Sequence, residues 1–146
     1  MKDDTSVDPL ARDNRIAIVL DPALKTGQMA NRAAVLATGL AARHPEIVGK
    51  DLQTADGRNL NGITKVPMAV LAARSQTDVA GLSGKAAGLG CTLLVYLTRA
   101  QGLRSYAEYE DSIARDRFDQ LDVDAVLIFG PRKTVSKLTG SLPLIR

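Results

Sequence analysis

Ile16–Leu20 is apolar at every position, lies between Arg15 and Asp21, and is followed within a few residues by a helix-patterned stretch. A strand with no polar alternation must be covered on both faces, which places it inside a sheet flanked by helices. Asp21-Pro22 breaks the strand. A helix from about Gln28 to Arg43 follows, with Thr26 and Gly27 positioned to cap it. Met29, Ala33, Leu36 and Leu40 form one stripe of that helix, and Ala30, Ala34, Ala37 and Ala41 form a second. Two rows of small and apolar residues let the helix sit close to the sheet. His44-Pro45 ends it. The other end of the chain, Ala125–Arg146, repeats the arrangement. Asp124–Phe129 reads as the last central strand, and Gly130-Pro131 places proline at the first helical position. A short helix Arg132–Thr139 is closed by Gly140, and the chain ends on an extended LPLIR.

Between these stretches the pattern is that of one domain. Met1–Asn14 lacks an apolar period and reads as a flexible or loosely docked arm, which leaves residues 15–146 as the domain. Val48–Lys65 is polar, with Asp56-Gly57 and Asn61-Gly62 as turn signals, and reads as strand-turn-strand. Pro67–Ala73 and Cys91–Leu97 read as strands. Ser75 with Asp78, and Ser105 with Glu108, open helices to about Leu89 and about Arg117, with Tyr106, Tyr109 and Ile113 on one face of the second. The element order β-α-β-β-β-α-β-α-β-α predicts an α/β fold: a three-layer α/β/α sandwich with a mixed, mostly parallel sheet. With three Tyr, two Phe and no Trp, its core must come from Ala, Val, Leu and Ile.

The net charge of +3 permits an anionic partner, but the charges are spread along the chain rather than gathered in a tail. Single-stranded nucleic acid is usually gripped by exposed aromatics. Tyr106 and Tyr109 read as core-facing, so weak or no nucleic-acid binding is expected. The single cysteine, Cys91, excludes an internal disulfide and a cysteine-rich zinc site, and reads as a buried, inert thiol. The longest apolar run is too short to cross a bilayer, and the first residues are charged where a signal peptide is apolar, so the expectation is a soluble cytoplasmic protein without membrane contact.

No spacing of His, Cys, Asp or Glu suits a metal, and neither a P-loop nor G-x-G-x-x-G occurs, so neither metal nor cofactor is expected. The only histidine, His44, reads as a cap or surface residue, and Asp21, Asp51, Asp56 and Asp124 stand alone. No catalytic residue is assigned.

Three segments are candidates for binding a small anion. In the turn Asp21–Gln28, Lys25, the Thr26 hydroxyl and the free N–H groups from Gln28 to Asn31 could converge on a phosphate or carboxylate, with Gly27 at the helix start among them. The alternative is that Thr26 and Gly27 only cap the helix while Lys25 is solvated. The loop Thr98–Tyr106 follows a central strand, where ligands bind in open α/β sheets, and offers Thr98 and Arg104. Ser105 is occupied as a helix cap. Lys133 and Lys137 share one helix face, which would bind phosphate or be simply solvated.

The strand IAIVL, the L-K-x-G turn at Leu24–Gly27, the alanine-rich first helix and the ending G-P…V-S-K-L-T-G-S-L-P-L resemble the type II peptidyl-tRNA hydrolases. The closest resemblance is to a bacterial sister family of unassigned role, the "domain of unknown function two thousand" family. It runs from about Arg15 to Arg146. It implies a peptidyl-tRNA hydrolase II-like α/β/α sandwich, often found as a homodimer. In the hydrolases two further lysines follow L-K-x-G, and an aspartate follows the strand equivalent to Cys91–Leu97. Here those positions hold Gln28, Ala30 and Leu97–Arg99, while Lys25, Gly27, Lys137, Thr139 and Gly140 are kept. The resemblance therefore implies a retained scaffold with the catalytic pair replaced. It leaves three functions open: a binder of a small anionic or nucleotide-like ligand, an altered hydrolase of an ester or amide on RNA, and a dimeric interaction module.

Overall fold

The two all-apolar runs become the two inner strands of one sheet, where no position escapes burial. The computed structural model describes residues 8–146. In chain order its helices and strands are α1 (Pro9–Asp13), β1 (Asn14–Leu20), α2 (Thr26–Arg43), β2 (Leu52–Gln53), β3 (Asn59–Leu60), β4 (Met68–Ala72), α3 (Gln76–Gly88), β5 (Thr92–Leu97), α4 (Tyr106–Ile113), β6 (Val123–Pro131) and α5 (Arg132–Thr139). The main sheet has the order β4-β1-β6-β5, and β2 and β3 form a separate hairpin. Gly57, at φ 82°, supplies the left-handed residue in the turn of that hairpin.

The fold is α/β with a mixed sheet, but the expectation of a mostly parallel one is corrected. Only β1 and β4 run parallel, whereas β1–β6 and β5–β6 are antiparallel. Alternating strands and helices suggest crossovers only if each helix carries the chain back across the sheet. The segment after β5 does not. Thr98 N–H donates to Asp122 O at 2.9 Å, so the chain returns beside itself and α4 sits in a long hairpin excursion.

Alternation along the inner strands builds two cores. Ile16, Ile18, Leu127 and Phe129 meet Leu36 and Leu40 of α2. On the opposite face Ala17, Val19, Val126 and Ile128 meet Val79 and Ala86 of α3 and Val135 of α5. Close approach is visible at Gly39, where a Cβ would lie 2.5 Å from Leu94 Cδ2.

Local chemistry sets the ends of the elements. Ser75 and Ser105 Oγ accept from the N–H groups of Asp78 and Glu108, as the capping patterns require. The C-terminus lies along β4, with Ala72 N–H donating to Pro143 O and Ile145 N–H to Val70 O.

Several finer expectations change. Of the N-terminal arm, Met1–Val7 lies outside the described residues, while Pro9–Asp13 is helical and docks through Leu10. Ala30 and Ala34 are exposed, and Arg32 takes an inward position on the other flank of the Met29–Leu40 stripe, away from the alanine row. α4 stops at Ile113, and Tyr106 is 80% exposed rather than core-facing. Pro131 precedes α5 as its cap. Among the described residues no helix is long and apolar enough to cross a membrane.

Candidate functional site

Arg32 is the largest fully buried side chain, on a helix face otherwise made of Leu, Met and Ala. Such a charge survives burial only with a partner. Across the core that partner is Asp124, the polar residue near the start of β6. Arg32 Nη2 lies 2.9 Å from Asp124 Oδ2 and Nε 3.2 Å from Oδ1. Thr98 Oγ1 donates to the same carboxylate at 2.9 Å. Arg32 Nη1 donates to Gln101 Oε1 at 2.9 Å, which also accepts from Gln28 Nε2 at 3.3 Å. The guanidinium lies 4.2 Å from the centre of the Tyr96 ring, a cation–π contact. The hydrogen-bonded Asp124 carboxylate raises the guanidinium pKa above its usual value, so Arg32 stays charged. Asp124 thus does not stand alone. It ties α2, β6 and the 3-10 turn Thr98–Gly102 into one polar cluster.

Beside this cluster a cleft of about 1000 Å³ runs between α2 and the outer strand β5, walled by residues 100–109. Val35, Leu36, Leu93, Leu94 and Leu103 make it largely apolar, and Tyr106 and Tyr109 meet edge to face at its side, 5.7 Å apart. Its polar rim is Gln28, Asn31, Arg43, Gln101 and Arg104, with Arg32 behind. Among the described residues none of the lining is acidic. Arg32 is neutralised by Asp124. The guanidinium groups of Arg43 and Arg104 have no ion pair or hydrogen bond among the described residues. The cleft is therefore apolar in its walls and positive at its rim.

Gly27, Gln28, Asn31 and Arg104, all expected at a site, line this cleft together. Thr98 lies behind it, its hydroxyl committed to Asp124. Lys25 and Thr26 are exposed at the start of α2, outside the lining. Gln28 Oε1 accepts from Lys25 N–H at 2.9 Å, so this glutamine also closes the helix start. Lys133 and Lys137 belong to α5 on the opposite side of the sheet. There Lys137 and Lys85 border a smaller cavity of about 530 Å³ between α3 and α5. Arg99 holds the turn to the β6 side through Asp116 at 2.7 Å and Asp122 at 2.6 Å, and these two carboxylates raise its pKa. His44 bridges Glu46 and Thr92, pinning the end of α2 to the start of β5. Cys91 is half-buried, and burial raises its thiol pKa. Among the described residues no cluster of His, Cys, Asp or Glu could hold a metal ion.

The family model for proteins of unknown function, DUF2000, matches residues 14–146. The chain belongs to the DUF2000 family. The match covers all of β1 to α5, so every residue of the cleft and of the buried cluster lies inside the DUF2000 region. This DUF2000 fold is similar to the solved structure of a protein of unknown function, Atu0240, from Agrobacterium tumefaciens strain C58. The TM-score is 0.83 at 23% identity, covering 92% of this chain and 98% of the other. At that identity the likeness shows the fold alone. Among curated proteins no relative matches the chain.

Proposed function

We propose that this DUF2000 domain binds a small anionic ligand, up to nucleotide size, in the cleft between α2 and β5. The observation that carries the reading is the charge of the cleft. Among the described residues three arginines and no carboxylate line it, and two of the three have no partner there. Arginine presents a planar fork of donors matched to carboxylate and phosphate oxygens, and each charge-assisted bond is worth about 1.5–3 kcal/mol. The apolar walls and two tyrosines suit the uncharged part of such a ligand.

The scaffold in this reading is the α/β/α sandwich of the type II peptidyl-tRNA hydrolases, with α2 on one face of the sheet and α3 and α5 on the other. The hydrolase chemistry is not part of it. The lysine and aspartate positions of those enzymes hold Gln28, Ala30 and Leu97–Arg99, and Ser105 caps a helix. Nucleic-acid affinity is weak in this reading, because Lys133 and Lys137 and the cleft arginines lie on opposite sides of the sheet.

Calorimetric titration with adenosine diphosphate and with inorganic pyrophosphate tests the reading. Binding should weaken about tenfold or more in Arg43→Ala and again in Arg104→Ala. Both residues are exposed, so the melting temperature should hold within a few degrees. Unchanged affinity in the double variant would refute it.

A further inference from the structure

The main sheet has two edges, and the fold treats them differently. On the β4 edge the C-terminal segment bonds to the strand through Ala72 N–H to Pro143 O and Ile145 N–H to Val70 O, both at 2.9 Å. β5 is the other edge, and among the described residues no strand pairs with its outer side.

Parity along the ladders identifies the backbone groups left over. Asp21 N–H donates to Asp124 O. In β6 the residues in phase with Asp124 therefore bond toward β1, while Ala125, Leu127 and Phe129 bond toward β5. Their partners there are Tyr96, Leu94 and Thr92. The N–H and C=O groups of Leu93 and Val95 thus point outward. They point into the cleft, whose lining includes Leu93, Leu94, Val95 and Tyr96 in sequence. Successive side chains of a strand go to opposite faces, so a cleft touching consecutive residues must run along the strand's edge.

Arg43 and Arg104, which have no side-chain partner among the described residues, stand at opposite ends of that edge. Arg43 adjoins His44, which bonds Thr92 at 3.0 Å at the start of β5. Arg104 lies beyond the strand's end, after the turn Thr98–Gly102. We infer that β5 takes a short extended peptide with carboxylates near both ends, added as an outer strand. This rests on reading the cleft as an anion site and names the class of anion. Main-chain bonds to Leu93 and Val95 would supply affinity, and the arginines and apolar walls would select the side chains. β5 is six residues long, about 20 Å, which fits a peptide of about five residues.

A second copy of this chain suits the edge poorly. Antiparallel pairing of β5 with itself would set Arg43 of each copy against Arg104 of the other, like charge on like charge.

The test is amide hydrogen exchange, followed by NMR, with an acetylated and amidated pentapeptide of alternating Asp and Val. The Leu93 and Val95 amides should exchange quickly in the free protein and at least about tenfold more slowly at saturation. The same peptide with alternate amides N-methylated should not bind. If pyrophosphate or adenosine diphosphate binds and the acidic peptide does not, the peptide inference falls and the anion cleft stands. If none of the three binds, both fall. Equal binding of a Lys–Val peptide would overturn the charge argument. Concentration-dependent protection of Leu93 and Val95 without peptide would assign the edge to a second copy and also overturn the inference.

Discussion

Replacing Asp124 by Asn should be among the most damaging single changes in this protein, although it alters neither size nor shape. The carboxylate accepts from Arg32 Nε, Arg32 Nη2 and Thr98 Oγ1 at 3.2, 2.9 and 2.9 Å. The two side chains of the ion pair are only 1% and 2% exposed. An amide can accept on one side only, and its NH2 would face guanidinium donors. Arg32 would keep its charge, with Gln101 Oε1 and the Tyr96 ring as the remaining compensation. Leaving a buried charge unpaired costs about 3–5 kcal/mol. For a domain of this size that corresponds to a drop of roughly 6–20 °C in melting temperature. Urea unfolding followed by circular dichroism measures it. With a slope of about 2 kcal/mol/M the midpoint should fall by roughly 1.5–2.5 M. The double variant Arg32→Met with Asp124→Leu removes both charges and should recover most of the loss, since buried pairs often exchange for apolar residues at little cost. A loss below about 1 kcal/mol in Asp124→Asn would refute the reasoning, because it would mean that water solvates the guanidinium.

Two further outcomes follow from burial and open space. The Cys91 thiol, its pKa raised above the usual 9.0 by burial, should react with iodoacetamide several-fold more slowly in the folded protein than in urea. The folded state favours the neutral thiol, so the stability it contributes is present below pH 9.0 and declines as pH rises beyond it. A folded rate equal to the unfolded one would mean that the thiol is accessible. Gly81 and Gly84 lie on α3 with nothing within 4 Å of where a Cβ would stand. Replacing both by Ala should stabilise the protein by about 1–2 kcal/mol in urea unfolding. A loss instead would show that this helix face packs against another body in solution.

The strands and helices were legible because apolar periodicity and caps act locally. Ile16–Leu20 and Asp124–Phe129 had to be covered on both faces, and they are the inner strands β1 and β6. Ser75 and Ser105 had the spacing to cap, and they do. Strand direction was not legible in the same way. An eight-residue helix between β5 and β6 looks in sequence like a crossover, and only the closing bond from Thr98 to Asp122 shows a return on the same side. The aromatic reading of α4 failed for a related reason. A helix in an excursion has less core to face, so Tyr106 reaches solvent while Tyr109 packs.

The site was half legible, and what was missed depends on how charge behaves in a core. Looking for anion sites among lysines at turns favours the residues most readily solvated, and Lys25, Lys133 and Lys137 are all exposed. Arginine tolerates burial better, because its fork can be satisfied from several sides at once. Arg32 falls three residues after Met29 and four before Leu36, on the apolar face of α2, where a charge demands a partner from the facing strand. Asp124, at the head of an otherwise apolar strand, was the matching signal. Arg43 left no such trace, and Arg104 was legible only as a polar residue of the loop after a central strand. Their convergence depends on α2 running back along β5, fixed by His44 on Thr92 at one end and Gln28 on Gln101 at the other. The same contacts divide the work among the arginines. The guanidinium that holds α2, β6 and the turn together spends its charge on Asp124, whereas the two at the rim have no partner among the described residues.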